Sequence, residues 1–110
     1  MDLPAPPDEQ LYAKAMWHYG RGLALLHTGN LDAAAAELFQ LTAIVESETA
    51  QELEQPYFFG LSQVKIAHRI LQGELAGARG NEAAKVSHLR AAVELQDSLP
   101  YMEPPYWYYP

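Results

Sequence analysis

The sequence predicts an all-α fold of two antiparallel helical hairpins, and three observations carry that prediction. Apolar residues recur at spacings of three and four through four stretches of the chain. A Gly-Asn pair stands between such stretches twice, at 29–30 and 80–81. Glycine there ends one helix and asparagine caps the next. Proline occurs only near the two ends and at Pro56, outside every periodic stretch.

Residues 1–8, with Pro4, Pro6 and Pro7, read as extended. Asp8 can cap the first helix, and Glu9 suits its opening turn. That helix is expected from Glu9 to Thr28, with Leu11, Ala15, Tyr19, Leu23 and Leu26 on a broad apolar face. The second runs from Leu31 to about Ser47 with Leu31, Ala34, Ala35, Leu38, Leu41 and Val45 as its stripe. So short a connection forces the pair antiparallel. Residues 48–59 read as an acidic connector with room for one helical turn. A third helix is expected from Gly60 to Ala78, on Leu61, Val64, Ala67, Leu71 and Leu75. The fourth spans Glu82 to Ser98, on Val86, Leu89, Ala92 and Val93, and Pro100 ends it. The hairpins, about 9–47 and 60–99, form one domain over 9–100, flanked by residues 1–8 and 101–110.

Composition narrows the function. The apolar share of 49% fits a globular domain rather than a disordered chain. A net charge of −7 argues against broad phosphate contact with nucleic acid and against anionic membranes. With no cysteine, disulfides, zinc–thiolate sites and cysteine nucleophiles are excluded. No apolar run approaches the ~20 residues of a membrane span. "MDLPAPPDEQ" lacks the basic start and apolar core of a secretory signal. The cytoplasm is the default setting.

The two Gly-Asn turns sit in similar surroundings. "GLALLHTGN" covers 22–30 and "GELAGARGN" covers 73–81, each with two glycines seven apart. The first glycine permits close approach of a neighbouring helix, and the second supplies positive φ. These features resemble the tetratricopeptide repeat (TPR) family, and bacterial members in particular. The resemblance spans roughly residues 11–100. Gly22 and Gly29 match the glycines of a first repeat. Leu25 and Leu31 fall on its large positions, and Ala34 on the small position facing Gly22. Gly73 and Gly80 match a second repeat, with Ala92 at its late small position. The sequence departs from the pattern at Leu41, where alanine is usual, and at Trp17, one residue out of place. The second turn reads one residue short, which puts Lys85 or Ala84 at the small position. The spacing, 73 − 22 = 51 residues, exceeds the family's ~34, and the excess lies at 46–62.

The resemblance implies a short right-handed α-solenoid acting as a non-enzymatic scaffold or adaptor for a protein or peptide. By the family's positions Met16, Tyr19, Leu23 and Leu26 would line a concave groove with Ala67, Ile70 and Glu74. The bland alternative makes these residues core between the hairpins. Tyr19 and Leu23 occupy the places of the family's Lys/Asn carboxylate clamp. An apolar or extended peptide therefore suits the groove better than an acidic C-terminal tail. Two repeats also leave an open apolar end, so homo-oligomerisation, as a dimer for instance, is the alternative function. The tail "EPPYWYYP" reads as the entrance to a missing third repeat, which would make the chain a fragment. Without that repeat, Tyr106, Trp107 and Tyr109 would fold back on the fourth helix or meet another copy.

Other chemistry is weakly supported. His18 and His27 are nine apart, not the helical metal-site spacing of four. His68 and His88 can face each other across the second hairpin, but with Glu74 nearby they suggest at most a weak metal site. Glu46, Glu48, Glu52 and Glu54 lack the glycine and spacing of a calcium loop. No nucleophile elbow or phosphate-binding loop is present. Neither a cofactor nor catalysis is expected, so a small helical enzyme or metal protein is the least favoured reading.

Overall fold

Four α-helices form where the periodicity places them. The computed structural model describes residues 11–55 and 58–98. Helix α1 is Leu11–His27, α2 Leu31–Val45, α3 Gly60–Ala78 and α4 Glu82–Asp97. The expected extended segment 1–8, the Asp8 cap and the rings of Tyr106, Trp107 and Tyr109 lie outside the described residues. In the connector, Glu48–Leu53 winds into a 3-10 helix. Then β1, Glu54–Gln55, pairs antiparallel with β2, Phe58–Phe59, with Glu54 opposite Phe59.

The two turns share their closing bonds at an offset of 51 residues. In the first, Asn30 N–H donates to Leu25 O (2.9 Å) and Gly29 N–H to Leu26 O (3.0 Å). In the second, Asn81 N–H donates to Ala76 O (2.8 Å) and Gly80 N–H to Gly77 O (3.0 Å). These are the paired bonds of a Schellman ending, which needs a left-handed residue; Gly29 and Gly80 supply it at φ +80° and +85°. Asn30 Oδ1 then accepts from Ala33 N–H, and Asn81 Oδ1 from Ala84 N–H. The second turn is therefore not one residue short, as its sequence suggests. Both have the same length, and Lys85 stands where Ala34 stands in the first hairpin.

Each hairpin packs on itself, and α3 also packs against both α1 and α2. The Tyr12 hydroxyl donates to Gln63 Oε1 (2.6 Å) near the starts of α1 and α3. Gly22 meets Leu71 further along both helices, so the two run parallel. Ala15, Leu41, Ile44, Val64 and Leu71 form the core where α1, α2 and α3 join. Helix α4 buries Ala92 but leaves Val86 51% and Val93 56% exposed.

Gly22 has a neighbour from outside its own hairpin. The nearest atoms to a β-carbon built there are Leu71's δ carbons, at 2.8 and 3.1 Å. The glycine thus opens the seam between hairpins. Gly73 does serve its own hairpin: Lys85 O lies 3.2 Å and Leu89 3.1 Å from its β-carbon position.

Leu71 is fully buried, so any shift that makes room is into packed surroundings. Gly22→Ala is expected to cost about 1 kcal/mol net, because overpacking of ~1–3 kcal/mol outweighs a helix-propensity gain of ~1 kcal/mol. That is a fall of roughly 4–8 °C in melting temperature. Gly20, with nothing within 4 Å of its β-carbon position, is the control: Gly20→Ala should stabilise by up to ~1 kcal/mol. Thermal melts of both variants check this, and shifts of the same sign would refute the seam.

Candidate binding cleft

The geometry separates the expected groove residues. Leu23, Leu26 and Glu74 come together in a cleft of about 290 Å³, walled also by His27, Gly77, Ala78 and Lys85. It opens between the C-terminal halves of the parallel helices α1 and α3. The spacing of Leu23 and Leu26 places both on the α3-facing stripe of α1, and parallel packing brings Glu74 beside them. Tyr19 is half-buried near this cleft. Burial raises its hydroxyl pKa above the usual 10.0, and the Glu74 carboxylate raises it further.

Met16 lies elsewhere. It lines a second cleft of about 360 Å³ on α1, with Trp17, Gly20, Arg21, Ala24, Leu25 and Thr28. Ala67 is buried and offers no surface to a ligand. Ile70 is half-buried and not among the residues lining the first cleft. Tyr19, Leu23 and Leu26 also pack against the core cluster, so they are at once rim of the core and edge of the cleft.

The close approach at Gly77 shapes the cleft wall. A β-carbon there would lie 2.6 Å from Lys85 Cδ. The Lys85 stem therefore lies across Gly77, and Lys85 and Glu74 wall the same opening. An apolar floor between one acid and one base can hold apolar side chains and orient a polar or charged neighbour.

A further cleft, of about 720 Å³, lies between the start of α1, the end of α2 and the 3-10 helix. Its wall begins at Leu11, the first described residue. The sequence offered no sign of it, because it forms only when the connector folds back on α1 and α2.

A polar cluster that sequence reasoning missed clasps the first hairpin. His18 Nδ1 donates to Glu37 Oε2 (2.5 Å), and Arg21 Nε donates to Glu37 Oε1 (2.8 Å). The Arg21 guanidinium lies 5.6 Å from the centre of the Trp17 ring, within cation–π range. Arg21 and Glu37 are each eight residues from Gly29, so counting outward from the turn would have found that pair.

His68 and His88 hold the packing together. His68 Nε2 lies 2.8 Å from Thr42 Oγ1, whose own hydroxyl donates to Leu38 O. The threonine oxygen therefore accepts, and His68 carries its proton on Nε2. Arg69 Nη1 donates to His88 Nδ1 (3.2 Å). Among the described residues, no three histidine, aspartate or glutamate side chains come together to hold a metal. No described helix is long and apolar enough to cross a membrane. No family model, curated protein or solved structure matches the chain.

Burial lowers the His68 pKa below the ordinary 6.5; Arg69 and His88 lower it further, and Glu46 opposes them. The unfolded chain therefore takes up a proton at this residue before the folded one does. Stability from this site is complete above about pH 6.5 and declines as pH falls through that value. Acidification from about pH 7.5 to 5.5 is expected to lower the melting temperature more in the wild type than in His68→Gln. Equal slopes for the two proteins would remove His68 from the account.

Proposed function

We propose that this chain is a cytoplasmic, non-enzymatic protein-interaction module. In this reading its hairpins stack as a short TPR-like right-handed solenoid, and it serves as a scaffold or adaptor. The observation that carries the proposal is the cleft between α1 and α3, where Leu23 and Leu26 lie beside Glu74. The solenoid part draws support from the matching turns 51 residues apart and from the parallel run of α1 and α3. The ligand that fits is an extended peptide with apolar side chains for the leucines and a basic residue for Glu74. An acidic peptide would meet Glu74 within a chain of net charge −7. Nucleic acid is disfavoured as a partner on the same ground.

Selection of a random displayed peptide library against the full chain tests this. Enriched peptides should combine apolar residues with a lysine or arginine. Glu74→Lys should weaken their binding at least about tenfold, a change of ~1.4 kcal/mol, while the melting temperature stays within a few degrees. Glu74 is the better probe because Tyr19 and Leu23 also pack on the core. No enrichment, or binding indifferent to Glu74→Lys, would sink the groove.

A further inference from the structure

We propose that the chain associates head to tail with a second copy of itself, the outer face of α1 seating on the outer face of α3 and α4. The 51-residue offset carries this inference, which does not need the peptide cleft. Within the chain, α3 enters the first hairpin through Val64, His68 and Leu71. Val64 and Leu71 join the core, Leu71 lies over Gly22, and His68 bonds to Thr42. Subtracting 51 gives the matching face of α1: Ala13, Trp17 and Gly20, followed by Ala24 as the counterpart of Leu75. Val64 and Leu71 are fully buried and Leu75 is 4% exposed. Their counterparts Ala13, Gly20 and Ala24 are less buried in every case, with Ala13 exposed and Trp17 half-exposed. This is an entering face with nothing among the described residues to enter.

The receiving face is duplicated in the same way. Thr42, which bonds to His68 of α3, and Ala35, seven residues before it on the same face of α2, have Val93 and Val86 as counterparts on α4. Both valines are large apolar residues that α4 leaves exposed. The detail at the glycines also fits. Gly22, which receives Leu71, corresponds to Gly73, and Leu89 already lies over Gly73 at 3.1 Å. The incoming counterpart of Leu71 is Gly20, with open space around it. The receiving side thus supplies the leucine, and the entering side leaves the room for it. Trp17 would then lie against Val93, as His68 lies against Thr42. Two different faces are used, so the contact is heterologous and continues from copy to copy unless it closes into a ring.

Sedimentation of the full chain over a concentration series up to about 1 mM tests this. The average mass should rise with concentration. Ala24→Glu, Trp17→Glu and Val93→Glu should each weaken association at least about a hundredfold, since each buries an unpaired charge. Circular dichroism checks that helix content is retained; Val93 is exposed and Ala24 lies on the outer side of α1, so those two variants keep the test valid if Trp17→Glu fails to fold. Mixing Ala24→Glu with Val93→Glu should restore a one-to-one dimer and nothing larger, because each variant keeps the face the other has lost. The proposal is overturned if the wild type stays monomeric, as it would with a terminal segment of the same chain on the α1 face. It is equally overturned if association survives the face variants, as pairing through Tyr106, Trp107 and Tyr109 would, or if mixing restores nothing.

Discussion

The contact of Leu71 with Gly22 is the constraint on which the rest of the structure depends. A fully buried leucine on α3 lies where a side chain on α1 would stand. That wedge joins the two hairpins and brings Ala15, Leu41, Ile44 and Val64 into one core with Leu71. It also sets the closeness of α1 and α3, and so the width of the cleft beyond it. Polar bonds flank the wedge on both sides, Tyr12 to Gln63 and His68 to Thr42. The first is exposed and the second half-buried, so they fix how the helices meet more than how strongly.

The helices and turns were legible in the sequence because their causes are local. Periodicity placed all four helices, and Gly29-Asn30 and Gly80-Asn81 marked where they stop and start. The contacts across the seam were not legible, because nothing local to Gly22 says which helix will approach it. A pattern borrowed from a repeat family pointed to Ala34, within the same hairpin; the atoms nearest the Gly22 β-carbon position belong to Leu71, from the other. The same limit separated Met16 and Ala67 from Leu23, Leu26 and Glu74. One is on another face of α1 and the other is inside the core, a distinction that depends on the rotation of α3 against α1. Arg21 and Glu37 were recoverable by counting from the turn, and the cleft against the 3-10 helix was not.

Lys85 illustrates how two equivalent hairpins come to differ. Its counterpart Ala34 is fully buried, while Lys85 extends a long stem over Gly77. A lysine stem covers apolar surface and still delivers its charge to solvent. In the first hairpin the position is filled by packing alone. In the second it becomes the wall of a cleft that Glu74 also lines. The offset is kept in the backbone while the side chains on it have taken different work.

The matched turns also bear on the order in which the molecule assembles. Each turn closes a short loop with its own hydrogen bonds and caps, so each hairpin can nucleate from neighbours in sequence at little entropic cost. The seam joins positions about fifty residues apart and cannot reward the chain until both hairpins exist. Gly22 and Leu71 therefore stand at the last step, the one that turns two marginal helix pairs into a single cooperative unit.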